Sequence, residues 1–188
     1  MKPGTRRWLQ WTMLLVLAVV AGIAGLRFGS VLRARNAPVI VEAPEFPFKP
    51  GDAFPDVRLA DSLGTEMGSL ELVRGKQGAV VLFLDPNCEG CTAMASRWEQ
   101  GVTEGVIEPD RIFGISMETA AKNEEYRVAH ALSFPIFQDV ESAFLNRHGV
   151  VTYPMEVVVA TSGTIQALST DSKTPIDAAS IRALVNEQ

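Results

Sequence analysis

Val80-Val81-Leu82-Phe83-Leu84-Asp85-Pro86-Asn87-Cys88-Glu89-Gly90-Cys91-Thr92-Ala93-Met94 is the stretch on which the reading of this chain turns. It holds both cysteines of the protein, separated by two residues. An apolar, β-branched run comes first, then Asp-Pro-Asn. After Cys91 the chain runs on through Trp98 to Gln100 without Gly or Pro. The pattern predicts a strand, a tight turn, Cys-x-x-Cys and a helix from Cys88 to Gln100. A cysteine placed where a helix begins meets unpaired backbone N–H groups and the positive end of the helix dipole, and both favour thiolate over thiol. The thiolate is the species that attacks a disulfide. Cys91, one turn on, is placed to close a ring with Cys88 and release a mixed disulfide. Two cysteines this close after a strand read as a dithiol redox pair.

Working outward, the charge is unevenly spread. The formal net charge is -5, yet the first 35 residues carry Lys2, Arg6, Arg7, Arg27, Arg33 and Arg35 and no acid. The rest therefore holds 11 basic and 22 acidic residues. Nucleic acid is excluded as a partner on that balance, because binding it requires cations to neutralise phosphates. With only two cysteines, a disulfide-dense scaffold is excluded as well.

Upstream, Trp8 to Leu26 is apolar apart from Gln10 and Thr12. A helix of 19 residues spans about 28 Å, close to one hydrocarbon core of ~30 Å. The run exceeds the ~7–15 residues of a signal-peptide core, which favours a retained anchor over a cleaved signal. The domain expectation is a short tail at 1–7, a transmembrane anchor at 8–32 touching the bilayer through residues 8–26, a proline-rich linker at 33–50 and one domain at 51–188. Basic residues flank the apolar run on both sides, so charge chooses the orientation weakly. The acidic domain and its dithiol favour a single pass through the bacterial cytoplasmic membrane, with the domain facing the periplasm or exterior, where disulfides persist.

Downstream, strands are expected at Val57–Leu59, Ala79–Leu84, Arg111–Met117, Met155–Ala160 and Ile165–Leu168. Phe134–Phe137 is expected as a short extended piece, and Ala79–Leu84, apolar throughout, as a central strand buried on both faces. Helices are expected at Ser69–Val73, Cys88–Gln100, Thr119–Leu132 with Tyr126, Ala129 and Leu132 at helical spacing, and Glu141–His148 stopped by Gly149. A last helix starts at Thr174-Pro175. Trp98, Met94 and Met117 read as core. The fold class is α/β, a mixed sheet flanked by helices, after a single N-terminal transmembrane helix.

On these residues the chain resembles membrane-anchored thioredoxin-like proteins of the redoxin/TlpA type, which are bacterial thiol–disulfide oxidoreductases. The likeness rests on Pro50-Gly51-Asp52-Ala53-Phe54-Pro55-Asp56, on Phe83 to Cys91, and on Gly149-Val150-Val151-Thr152-Tyr153-Pro154 before the strand at Met155. It implies that Pro154 is cis and sits beside the cysteines, with the Tyr153 backbone as an edge for a substrate chain. It also implies protein disulfide or dithiol substrates, a membrane or soluble dithiol electron donor, and no cofactor. Four positions depart from the family pattern. Asn87 replaces the usual aromatic residue, Glu89-Gly90 fills the space between the cysteines, and Leu82 stands where thioredoxins carry a buried carboxylate.

Cys88 and Cys91 are thus the catalytic candidates, and Tyr153 and Pro154 the substrate-binding ones. Asp85 reads as either a proton relay or a turn residue before Pro86. Glu89, beside Cys88, has charge tuning as its role. A zinc site wants four ligands, and there is no third cysteine while His130 and His148 fall on separate predicted helices as surface residues, so no metal is expected. Copper delivery is disfavoured by the two-residue spacing. A peroxiredoxin's reactive cysteine has Thr three residues and Pro seven residues before it, where Asp85 and Val81 stand here. The alternative from another class is a non-catalytic assembly or docking subunit of a membrane complex, since fold alone does not separate the two.

Overall fold

A computed structural model of the chain describes residues 47–76, 78–150 and 153–170, together with Met13, Leu17, Ile176 and Ile181. The chain divides into two compact units, Met1–Glu45 and Phe46–Gln188, and all the described residues but Met13 and Leu17 belong to the second. The expected anchor, most of the linker and the last helix lie outside the described residues. No helix among those described is long and apolar enough to cross a membrane.

The described strands are β1 (Arg58–Ala60), β2 (Glu66–Gly68), β3 (Ala79–Phe83), β4 (Ile112–Ser116), β5 (Ile136–Asp139), β6 (Met155–Val159) and β7 (Ile165–Ser169). They form one mixed sheet in the order β2-β1-β5-β4-β3-β6-β7. The described helices are α1 (Ser69–Gly75), α2 (Glu89–Thr103), α3 (Ala120–Ala129) and α4 (Ala143–His148). β3, β4 and β5 run parallel. The crossovers through α2 and α3 cover one face of the sheet, because parallel neighbours cannot be joined by a tight turn.

β3 is buried along its whole length between β4 and β6, as its unbroken apolar sequence demands. Alternate residues feed two cores. Val81 and Phe83 join Phe54, Val73 and Phe144 on the face of α1 and α4. Val80 and Leu82 join Cys91, Met94, Trp98 and Tyr126 on the face of α2 and α3. The buried stripe of α2 is Cys91, Met94, Ala95 and Trp98, a helical spacing that continues the apolar face of the redox motif.

Several expectations are corrected. Glu66–Gly68 is a strand that no alternation announced; it forms by pairing with β1. The helix at Thr119 starts as expected, with the threonine hydroxyl capping Lys122 N–H, but it ends at Ala129, and Ala131 takes a left-handed backbone (φ 51). Ala129 is exposed, while Leu132 reaches the core from beyond the helix. Met117 lies past the end of β4 and is exposed rather than core. Phe48, assigned to the linker, is buried in the core and stacks near His148, whose ring also approaches Phe144. His148 is therefore half-buried, not a free surface histidine.

Candidate active site

The C-terminal end of β3 delivers the chain to the redox motif. Asp85 takes the turn: its Oδ1 accepts the Asn87 N–H at 2.8 Å and the Asn87 side-chain amide at 3.1 Å, and its carbonyl accepts Cys88 N–H at 3.0 Å. This is the self-bonded Asp turn that makes the residue common before such bends. Cys88 follows as the N-cap of α2, in extended backbone. Its Sγ accepts the Cys91 N–H at 3.2 Å, in the position an N-cap oxygen normally occupies. The sulfur thus takes up one of the orphan donors of a 15-residue helix.

The two thiols differ sharply in setting. Cys88 is half-buried and Cys91 fully buried; both are free. The Cys91 sulfur accepts the Asp85 N–H at 3.4 Å. Burial, and next its hydrogen bond to Cys88, push the Cys91 thiol up to about 12. The outer sulfur is available to a partner, whereas the inner one is held as a thiol.

Pro154, preceded by a cis peptide bond, lies against the first turn of α2. A methyl group at Gly90 would sit 3.3 Å from Pro154 Cδ and 3.9 Å from Cys88 Sγ. Gly90 is therefore what lets the ring, the helix and the sulfur close together. Phe83 pairs with Met155 at the end of the β3–β6 ladder, directly after Pro154 in the chain, and the Asp85 charge acts on Tyr153. Tyr153 packs on both cores. Burial, then the charges of Asp139, Asp85 and Cys91, push its phenol up to about 12, so it stays protonated.

The structure thus brings Cys88, Cys91, Asp85, Pro154 and Tyr153 to one end of the sheet. Glu89 is exposed in the first turn of α2. His130 caps the end of α3 and His148 lies on α4, both away from a ligand cluster: among the described residues no group of His, Cys, Asp and Glu could hold a metal ion.

Residue-level reading of the sequence passed over four side chains nearby. Tyr126 of α3 bonds Thr92 of α2, Oη to Oγ1 at 3.1 Å. Arg97 of α2 pairs with Glu156 of β6, whose other oxygen accepts Ile176 N–H at 3.2 Å. Glu156 is buried and stands opposite Leu82, the position at which thioredoxins carry a carboxylate. One signal was available: a lone acid inside the apolar run Met155–Val159 needs a buried partner.

A mixed sheet with a dithiol at the N-terminus of the helix after its central strand defines a thioredoxin-like redox protein. The chain belongs to the AhpC/TSA family, whose model matches residues 50–168. Among curated proteins nothing matches the sequence. Among solved structures it is similar to the peroxidoxin BcpB of Mycobacterium tuberculosis, at 22% identity and a TM-score of 0.57, covering 73% of this chain and 94% of that one. It is similar to the thioredoxin domain of a thiol-disulfide oxidoreductase of Bacteroides vulgatus, at 14% identity and a TM-score of 0.59, covering 74% and 99%. A third likeness is to a secreted disulfide oxidoreductase of M. tuberculosis homologous to E. coli DsbE, at 17% identity and a TM-score of 0.52, covering 70% and 95%. At these identities the structural likenesses speak for the fold.

Proposed function

We propose that this chain is a thiol–disulfide oxidoreductase that reduces protein disulfides outside a bacterial cytoplasmic membrane, tethered there by residues 8–32. The observation that carries the chemistry is the asymmetry of the two thiols: Cys88 half-exposed at the N-cap of α2, Cys91 buried one turn behind it. Cys88 thiolate attacks one sulfur of a substrate disulfide; the Cys88–substrate S–S bond forms, and the other substrate sulfur leaves and takes up a proton. Cys91 then loses its proton and attacks Cys88 Sγ. The substrate leaves as its second thiol, and the Cys88–Cys91 disulfide remains. A membrane or soluble dithiol protein returns the two electrons, so no cofactor is needed.

We assign the Cys91 proton to the Asp85 carboxylate, whose charge acts on Cys91 and whose residue holds that sulfur through its backbone N–H. Glu89, exposed beside Cys88 in the first turn of α2, is the charge we assign to tuning the pair. Pro154 and the backbone of Tyr153 form the edge on which the substrate chain lies. The apolar run at 8–26 supports the tether, and the acidic balance of the remaining chain supports a position outside the cytoplasm.

Peroxide reduction at Cys88 is the second reading, favoured by the family and by the likeness to the peroxidoxin. Against it, the residue three before Cys88 is Asp85, whose carboxylate is engaged with Asn87.

The test is turnover by the full chain in detergent, with a protein disulfide and, separately, hydrogen peroxide as oxidant. Cys88→Ser is expected to abolish disulfide reduction, and Cys91→Ser to stop at a trapped mixed disulfide. Reduction by Cys88→Ser at the wild-type rate sinks the proposal; fast peroxide consumption with no disulfide reduction transfers it to the second reading.

A further inference from the structure

The contact between α2 and α3 holds a polar pair that the exchange mechanism leaves without a role. Tyr126 enters the same apolar layer as Cys91, Met94 and Trp98 and is 6% exposed. Its Oη lies 3.1 Å from the hydroxyl of Thr92, the residue after Cys91. Burial pushes the phenol up, the bond to Thr92 pulls it down, and negative charge on Cys91 or Cys88 pushes it up again. The phenol therefore keeps its proton and feels both sulfurs. The other ionisable groups around the pair are His130, with its ring 4.4 Å from that of Tyr126, Asp85, whose charge acts on Cys91 and on Lys122 of the first turn of α3, and Tyr153, on which the Cys91 charge acts.

In the dithiol, Cys91 has the Cys88 sulfur as its hydrogen-bond partner. Forming the mixed disulfide removes that partner, because a disulfide sulfur carries no charge. The thiolate that Cys91 must then become keeps the Asp85 N–H at 3.4 Å as a donor on one side. Across the contact with α3, the Tyr126 O–H donates to the hydroxyl of Thr92, the residue after Cys91. A charge in a desolvated site is costly without a donor held to it.

We propose that Tyr126 is a positioning residue for the resolving step: by donating its O–H to Thr92 it fixes the first turn of α2 against α3 and so holds the Cys91 sulfur at its Asp85 N–H donor. The inference rests on the oxidoreductase reading and deepens it.

Glutathione disulfide is the probe. Reduced full chain plus glutathione disulfide gives Cys88–S–S–glutathione and one glutathione. Resolution forms the Cys88–Cys91 bond, breaks the Cys88–glutathione bond and releases the second glutathione thiolate, with the Cys91 proton passing by way of Asp85 to solvent or to that thiolate. Acid quenching and mass spectrometry follow the intermediate over time and pH.

Tyr126→Phe removes one oxygen and keeps the ring, and Thr92→Val breaks the bond from the other side. Each is expected to slow resolution about 3- to 10-fold, the scale of one net hydrogen bond, and to move its pH midpoint upward. The double variant should match the singles, since they remove one interaction. Formation of the mixed disulfide, measured in a Cys91→Ser background, should be unchanged. Wild-type resolution and pH midpoint in Tyr126→Phe overturn the inference, as do effects that add in the double variant or equal slowing of both steps, which marks a general loosening. Absence of any glutathione adduct on the wild type overturns the oxidoreductase reading and this inference with it.

Discussion

Replacing Cys88 with serine leaves Cys91 as the sole thiol and isolates what burial does to it. An unperturbed thiol in this protein has the reference value of 9.0, and in the folded chain Cys91 is pushed up to about 12, chiefly by burial. Three units are about a thousandfold in thiolate fraction at any pH below 9. The charge of Cys88 contributes part of that shift and vanishes with the substitution, while burial, the largest cause, remains. The expected outcome at pH 8 is alkylation by iodoacetamide at least about 100-fold slower than for an exposed thiol, because the thiolate is the reactive form. Cys91→Ser is the control, since it leaves the half-buried Cys88 to react. The same shift sets a stability window. The folded state holds the Cys91 proton more tightly than the unfolded state, so this contribution is complete below pH 9 and is lost as pH rises from 9 toward about 12. Urea midpoints of Cys88→Ser should therefore fall between pH 8 and the alkaline side of that window more steeply than those of a variant lacking both cysteines. Labelling of Cys91 at pH 8 within tenfold of Cys88 in the control would refute the reasoning, because a thiol that reacts so readily is neither buried nor held protonated.

Two further substitutions probe the frame around the sulfurs. Gly90→Ala adds a methyl 3.3 Å from the rigid Pro154 ring, so the first turn of α2 or the proline must give by a few tenths of an ångström. Exchange with glutathione disulfide should slow several-fold while thermal stability holds or rises, since Ala gains ~1 kcal/mol over Gly in a helix; unchanged exchange in a stopped-flow assay refutes the close packing. Arg97→Met leaves the buried Glu156, among the described residues, with only the Ile176 N–H and should destabilise the fold by about 3 kcal/mol in urea titration, at the low end for breaking such a pair because Arg97 is partly exposed. Adding Glu156→Gln should recover part of the loss, and no recovery argues against an uncompensated charge as the cause.

The elements of the domain were legible wherever a local rule dictates them. The apolar run at Ala79–Phe83 can only be a strand buried on both faces, and Thr119 and Gly149 cap their helices by their own side-chain and backbone chemistry. The candidate site was legible for the same reason: a cysteine pair behind a strand lands at a helix N-terminus whatever the rest of the chain does. β2 was not, because three residues hold strand geometry only through their pairing with β1. Met117 was misplaced because an apolar residue past a strand end has no periodicity to assign it a side, and Phe48 because proline neighbours say nothing of what a ring packs on.

The amino-acid order alone determined the strand–turn–dithiol–helix unit, the interleaving of helices with apolar strands, and the uneven charge along the chain. Those follow from backbone sterics, side-chain periodicity and composition, which act within a few residues. Tertiary structure decided which sulfur is exposed, that Pro154 closes on Gly90, that Tyr126 reaches Thr92, and that Glu156 rather than Leu82 carries the buried acid beside the central strand. The last three of these join residues far apart in the chain, and only the register of β3 with β6 and the packing of α2 on α3 fix the distances between them.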